Sequence, residues 1–167
     1  INTYYDVGCA TVEEMLDHFL VNGHLCIVFE LLESPRRALT RRTSLAATIK
    51  AHRVRGMPLA TVRAVARSAL TALRHLHRAG IIHADVKPDN ILLAHDGAAK
   101  LIDLGSACFE NYTLYTYIQS RHYRAPEIVL GCRYSTAIDI WSLGCVVLEM
   151  ALGAPLFCAS SEYDLLA

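Results

Sequence analysis

The stretch His83-Ala84-Asp85-Val86-Lys87-Pro88-Asp89-Asn90-Ile91-Leu92-Leu93, followed by Leu101-Ile102-Asp103-Leu104-Gly105, decides how the rest of this 167-residue chain is read. Asp85 and Lys87 stand two apart, and Asn90 follows. The apolar run Ile91-Leu92-Leu93 predicts a short buried strand. Asp96-Gly97 is a hairpin signal. A second apolar strand over residues 99–102 then delivers Asp103 at its end. The hairpin is therefore expected to bring Asn90 and Asp103 near each other, with Asp85 on the loop before them. An amide oxygen and a carboxylate that converge are hard ligands suited to Mg²⁺, which keeps several waters and binds through substrate phosphates. A lysine beside them can neutralise a phosphoryl oxygen, and a further aspartate can orient a hydroxyl and accept its proton. Phosphoryl transfer needs those parts, because its catalysis is mostly positioning and charge stabilisation. Any one of these residues alone reads as part of a polar loop between a helix and a hairpin. The combination at this spacing favours the chemistry.

The spacing resembles the protein-kinase catalytic loop, H-x-D-x-K-x-x-N, followed by the metal-binding D-x-G. Ala125-Pro126-Glu127 matches the Ala-Pro-Glu that closes the activation segment. Ala84 stands where that pattern has arginine, and Leu104 where it has phenylalanine. Leucine still fills an apolar slot, whereas the lost arginine removes one partner of a phosphorylated activation loop.

The segment Tyr115-Thr116-Tyr117-Ile118-Gln119-Ser120-Arg121-His122-Tyr123-Arg124 narrows the resemblance. It is similar to the activation segment of the dual-specificity tyrosine-regulated kinases (DYRK), a branch of the CMGC group. His24-Leu25-Cys26-Ile27-Val28-Phe29-Glu30-Leu31-Leu32 and Ile138-Asp139-Ile140-Trp141-Ser142-Leu143-Gly144-Cys145 resemble the same family. That family also lacks the catalytic-loop arginine, so Ala84 fits it. Ser161-Glu162-Tyr163-Asp164 resembles the related homeodomain-interacting kinases.

The resemblance implies an α+β, protein-kinase-like fold that is incomplete. Residues 1–32 would end a small lobe, with its fourth and fifth strands and the hinge. Residues 33–167 would form part of the mainly helical large lobe. The implied function is a protein serine/threonine kinase that autophosphorylates tyrosine and passes the γ-phosphate of ATP, with Mg²⁺, to serine and threonine of protein substrates. By motif position Asp85 would accept the substrate hydroxyl's proton and Lys87 would contact the γ-phosphate. Asn90 and Asp103 would hold Mg²⁺. Backbone groups of Glu30 and Leu32 would meet adenine, with Leu92 beneath it and Phe29 as gatekeeper. Tyr117 would be the regulatory tyrosine, its phosphate held by Arg121 and Arg124. Asp139 would hold the catalytic-loop backbone.

No Gly-x-Gly-x-x-Gly and no Val-Ala-x-Lys occurs in the chain. The phosphate-covering loop and its lysine are expected to precede Ile1 or to be absent. Each missing electrostatic group costs on the order of 10²–10³ in rate, so the 167 residues alone are expected to be inactive. The competing reading is a truncated, inactive remnant that serves as a binding or scaffold module. Against it, Asp85, Lys87, Asn90 and Asp103 are all present.

Composition bounds the partners. Lys+Arg and Asp+Glu number 16 each, for zero net charge, so no global field favours nucleic acid or membrane. Eleven of the basic residues nevertheless fall within residues 36–78, which contain no acid. That run is either a solvated face or a docking surface for acidic or phosphorylated partners. The six cysteines show no paired spacing, which fits a reducing compartment, cytoplasm or nucleus. Cys26, Cys132 and Cys145 are expected to be buried.

Local signals set the remaining elements. Asn22-Gly23 between two apolar runs predicts a hairpin, with residues 25–29 as a strand buried on both faces. Ser44 is expected to cap a short helix. Pro58 and Gly80 bracket a long one whose apolar face is Val62, Val65, Ala66, Ala69, Leu73 and Leu76. Thr136 is expected to cap a buried helix ended by Gly153, with Trp141 in the core. Asp139 and Glu149 argue against a membrane span there.

Overall fold

The computed structural model describes residues 9–30, 43–53, 55–93, 98–112, 116–161 and 163–165. Leu31, Leu32, the Asp96-Gly97 turn, Tyr115 and the basic run 36–42 lie outside the described residues.

Strands β1 (Met15–Val21) and β2 (His24–Phe29) pair antiparallel around Asn22 and Gly23, both at positive φ (50° and 80°). The Asn-Gly signal thus works through left-handed backbone at both turn positions. β2 is not buried on both faces: it is exposed apart from Cys26, which is half-buried. Its apolar composition says nothing of what covers it, and among the described residues β1 and β2 pair only with each other.

Strand β3 (Thr43–Ser44) leads into α1 (Leu45–Ala51), and the Ser44 hydroxyl caps it by accepting the Ala47 N–H at 3.2 Å. A tight loop then reaches α2 (Leu59–Arg78). Gly56 is needed in that loop. It sits at φ 64°, and a Cβ there would lie 1.9 Å from the Ala151 carbonyl oxygen. The next residue donates its N–H to Met150 at 2.7 Å, which locks the loop onto α4 (Ala137–Leu152).

Helix α2 begins after Pro58 and ends at Ala79, with Gly80 at φ 70° beyond. Val62, Val65, Ala69, Ala72, Leu73 and Leu76 are buried. Ala66 is only half-buried, and Ala72 takes its place. Leu73 and Leu76 are 1% and 0% exposed, and each burial stabilises by about 1.5–3 kcal/mol. This face packs on α4 and on β6 (Ala99–Leu101), and forms the main core with Val12, Leu45, Ile91 and Val146.

β4 (Ile81–Ile82) pairs with β7 (Cys108–Phe109), and β5 (Ile91–Leu93) lies between β3 and β6. Residues 9–14 join this sheet through a parallel bridge between Val12 and Leu101. A second small core, Ile82, Ala84, Ala125, Ile128 and Ile138, lies under the loop after β4 and binds it to the short α3 (Pro126–Val129).

α4 is buried on one face only. Ile138, Asp139, Ser142, Leu143, Cys145, Val146, Glu149 and Met150 are buried, while Ile140, Leu148 and Leu152 are exposed. Trp141 is not core: it is 39% exposed and stacks on Phe157 at 6.0 Å. The helix is apolar all round, so its sequence does not mark which face its neighbours cover. Thr136 occupies the cap position without a side-chain hydrogen bond, because it already has helical backbone (φ −54°, ψ −16°). Ser135 Oγ instead accepts the Ala137 N–H at 3.3 Å. Gly153, at φ 78°, ends the helix.

All six cysteines are free thiols. Cys145 is buried as expected, and burial pushes its thiol up to about 11. Cys132 is exposed, on a loop where the neighbouring apolar residues do not close over it. No helix among the described residues is long and apolar enough to cross a membrane.

Candidate active site

The loop between β4 and β5 carries His83, Asp85, Lys87 and Asn90, with the 3₁₀ turn Pro88–Asn90 at its end. Its backbone is unusual at Ala84, whose φ is 63°. A buried alanine there costs about 1 kcal/mol or more unless its surroundings fix it. Asp139 on α4 does so. Its Oδ2 accepts the His83 N–H and its Oδ1 the Ala84 N–H, each at 2.9 Å. Asp139 is fully buried and also meets His77 Nε2 at 2.8 Å. One carboxylate thus joins α2, α4 and the loop.

His83 is fully buried. Its Nε2 faces the Ile102 carbonyl at 3.1 Å, and its Nδ1 accepts the Asp85 N–H at 3.2 Å. That pattern assigns the neutral ring with its proton on Nε2. Burial is the dominant cause that pulls its pKa below 6.5, against the raising effect of Asp139.

Asp85 is the hub of the polar cluster. Its Oδ2 accepts Lys87 Nζ at 2.6 Å and Asn90 Nδ2 at 3.1 Å. Its backbone carbonyl accepts Asn90 Nδ2 at 2.9 Å. Its Oδ1 accepts the Ser120 hydroxyl at 2.8 Å, and Lys87 Nζ also donates to that hydroxyl oxygen at 3.2 Å. Ser120 was not singled out from sequence. It lies 35 residues from Asp85, and nothing local marks it.

The β5–β6 hairpin sets Ile91 opposite Leu101, and the Ile102 N–H donates to the Asn90 carbonyl at 3.0 Å. Asp103 follows at once, in left-handed backbone (φ 65°), with Oδ1 accepting the Gly105 N–H at 3.2 Å. Its own N–H donates to Glu13 Oε2 at 3.3 Å. The hairpin thus brings the Asn90 and Asp103 positions to one end of the sheet, although among the described residues no hydrogen bond joins their side chains. Both Asn90 amide hydrogens point at Asp85, and its Oδ1 accepts no hydrogen bond among the described residues. An amide oxygen and an exposed carboxylate fit a hard divalent cation that takes its other ligands from water and phosphate. No cluster of three or more His, Cys, Asp or Glu suited to a metal occurs among the described residues.

Glu30 lies at the end of β2. Its N–H donates to the Glu14 carbonyl at 3.0 Å, and its Oε1 accepts the Glu14 N–H at 2.8 Å and the Lys100 ammonium. Lys100 is buried and pairs in the sheet with Leu92, which is half-buried. Lys100 is a second residue that sequence reading missed, since its partner is 70 residues away. Leu32 lies outside the described residues.

Tyr117 is exposed, with the Arg124 guanidinium 4.2 Å from its ring centroid. Hydrogen bonds from Arg124, and then from Arg121, lower its phenol pKa. Arg124 is also bound to the backbone, Nε to the Ile118 carbonyl (2.9 Å) and Nη2 to the Gln119 carbonyl (2.6 Å). Gln119 stands at φ 66° and ties this segment to α4 through Ser142 Oγ (2.8 Å) and the Ile138 carbonyl (2.9 Å).

The protein kinase domain family matches residues 1–166. The chain is 50% identical over 162 residues to dual specificity tyrosine-phosphorylation-regulated kinase 3 of Rattus norvegicus, covering 96% of this chain and 26% of that protein. It is 47% identical over 158 residues to the dual specificity protein kinase YAK1 homolog of Arabidopsis thaliana, covering 93% of this chain and 16% of that protein. To the serine/threonine-protein kinase ppk5 of Schizosaccharomyces pombe it is 48% identical over 151 residues, 89% of this chain and 17% of that protein. The chain thus spans about a quarter or less of these relatives. Protein kinases in general use ATP and a divalent metal. With a family match over nearly its whole length, the chain belongs to the protein kinase domain family.

Proposed function

We propose that the chain is the catalytic portion of a protein serine/threonine kinase of dual specificity, which transfers the γ-phosphate of ATP to protein hydroxyls and autophosphorylates Tyr117. In this reading residues 1–32 close a small lobe and residues 33–167 belong to the large lobe. The observation that carries it is the bonded cluster of Asp85, Lys87, Ser120 and Asn90, held from beneath by Asp139.

Asp85 presents a carboxylate to a hydroxyl, as its Oδ1 already does to Ser120. The substrate oxygen attacks the γ-phosphorus, the bond to the β–γ bridging oxygen breaks, and ADP leaves with that electron pair. The hydroxyl proton passes to Asp85. Lys87 Nζ, already against Asp85, turns to the γ-phosphoryl oxygens and offsets their charge. Asn90 Oδ1 and Asp103 would hold Mg²⁺, which when bound supplies a positive charge on the phosphate oxygens. Glu30 would offer backbone to adenine, with Leu32 beyond it and Leu92 below. A phosphate on Tyr117 would meet Arg121 and Arg124, whose guanidinium groups already stabilise the phenolate. The six free cysteines favour a reducing compartment, cytoplasm or nucleus.

The test is radiolabelled γ-phosphate transfer from Mg·ATP to serine and threonine peptides by the full-length protein that contains this chain. Asp85→Asn should lower the rate by about 10²–10⁴-fold, and the 167 residues alone should transfer nothing measurable. Absence of transfer by the full-length protein, with Asp85 intact, would overturn the reading in favour of a binding module.

A further inference from the structure

Strand β6 is buried at all three positions, and the middle one is a lysine. Ala99, Lys100 and Leu101 are 4%, 7% and 2% exposed. A buried ammonium needs a counter-charge. Lys100 finds it in the Glu30 carboxylate at the end of β2, 70 residues away in the chain. The same carboxylate oxygen accepts the Glu14 N–H at 2.8 Å, and the Glu30 N–H donates to the Glu14 carbonyl at 3.0 Å. Neither Lys100 nor Glu30 belongs to the bonded cluster around Asp85.

Lys100 pairs with Leu92 across the β5–β6 ladder, and Asp103 lies just beyond the end of β6. One side chain therefore ties the end of β2 to the hairpin that carries Leu92 and delivers Asp103. An apolar residue would fill the same buried position at lower desolvation cost, since a buried ion pair is often no more stabilising than hydrophobic residues of similar volume. What the pair adds is direction: the ammonium fixes where the Glu30 carboxylate sits, and with it the Glu30 backbone. A second tie runs beside the first. The Leu101 N–H donates to the Thr11 carbonyl at 2.8 Å, and the Glu13 N–H to the Leu101 carbonyl at 2.9 Å. Loss of the Lys100 charge therefore loosens the junction of β2 with the hairpin without opening it.

We propose that Lys100 is a positioning residue for the nucleotide. Through Glu30 it sets the distance between the backbone that meets adenine and the hairpin that carries Leu92 and delivers Asp103. The inference rests on the kinase reading above, in which Glu30 and Leu92 meet adenine and Asp103 holds Mg²⁺. ATP spans both ends, so it binds only when they stand at one separation. Holding them there before ATP arrives removes an ordering cost from binding. The attack of the hydroxyl is set by Asp85 and Lys87 and does not pass through this pair. Disturbing the pair thus weakens nucleotide binding and leaves the transfer step at saturating ATP nearly intact.

The experiment is titration calorimetry of Mg·ATP into the full-length protein that contains this chain, with steady-state transfer and thermal unfolding measured on the same samples. Lys100→Met keeps an unbranched side chain in the buried position and removes the charge. It should raise Kd and KM for ATP about tenfold, with kcat within about threefold and KM for the peptide within about twofold. Lys100→Arg keeps a cation opposite Glu30 and should recover most of the affinity. Where Lys100→Met does not fold, Glu30→Gln carries the same test. It keeps an oxygen for the Glu14 N–H, removes the charge, and should raise Kd about three- to tenfold. A folded Lys100→Met or Glu30→Gln with a lowered melting temperature and an unchanged Kd overturns the proposal and leaves the pair a stability feature alone. So does a Lys100→Met variant whose kcat falls as far as its affinity, or an arginine variant that binds no better than the methionine one. A wild type that binds ATP while the variants match it overturns this inference and spares the kinase reading. A wild type that binds no ATP and transfers nothing overturns both.

Discussion

Asp139 accepts the N–H groups of both His83 and Ala84, from a helix more than fifty residues downstream. The pair of bonds holds Ala84 at φ 63°, a conformation that non-glycine residues avoid, and so fixes the direction in which Asp85 leaves the loop. Asp139→Asn keeps the shape but turns one acceptor into a donor facing a buried N–H. It should lower unfolding free energy by about 2–4 kcal/mol. Urea denaturation of the full-length protein measures this, and a loss below about 0.5 kcal/mol would mean that the loop holds its own conformation.

Ser120 bonds both Asp85 and Lys87, and so sets the spacing of the two groups assigned to the phosphoryl transfer. Ser120→Ala removes both bonds from a half-buried position without leaving a cavity of any size. We expect kcat to fall about 10–100-fold, with KM for ATP within about twofold and stability within about 1 kcal/mol. Ser120→Thr keeps the hydroxyl and should retain most of the rate. Equal kcat in the alanine variant and the wild type would remove Ser120 from the positioning role.

Much of this architecture was legible because its signals are local. Pro58 and Gly80 bound α2, Asn22-Gly23 makes a hairpin, and the run 91–93 is a strand. The motif spacing likewise brought Asp85, Lys87 and Asn90 together. What escaped was set by distant partners. Ser120 meets Asp85 across 35 residues, Tyr123 meets Glu149 across 26, and Glu30 meets Lys100 across 70. Such pairs leave no periodicity. Trp141 and β2 failed for a different reason: apolar composition says that a segment can be covered, and only the packing says whether it is.

His83 gives the chain a stability that depends on pH. Burial holds its pKa below 6.5, and the Asp85 N–H bonded to Nδ1 requires that nitrogen to be unprotonated. Below pH 6.5 the unfolded chain therefore binds a proton that the folded chain resists. This contribution is fully present above pH 6.5 and is lost as pH falls through the lowered folded value. Glu149 acts with the opposite sign, since burial raises its pKa above 4.5. Comparison with His83→Gln separates the two. The wild type should lose stability faster than His83→Gln on going from pH 7.5 to 5.5, and parallel curves would exclude His83 as the cause.

Tyr123 donates its hydroxyl to Glu149 Oε2 at 2.7 Å, and the pair is 8% and 7% exposed. The bond fastens the 3₁₀ turn Arg121–Tyr123, and with it Ser120, to α4. Desolvation is the largest cause that raises the pKa of each partner, so both favour the neutral phenol and resist carboxylate charge. Removing one partner strands the other, which costs more than the bond is worth. Tyr123→Phe should therefore destabilise by about 1–3 kcal/mol, and Glu149→Gln, which still accepts from the phenol, by less than about 1 kcal/mol. The double variant Tyr123→Phe with Glu149→Leu leaves no buried polar group behind and should recover most of the Tyr123→Phe loss. Urea titrations of the wild type, Tyr123→Phe, Glu149→Leu and the double variant close the cycle. Additive losses in the double variant would show that the two side chains act separately.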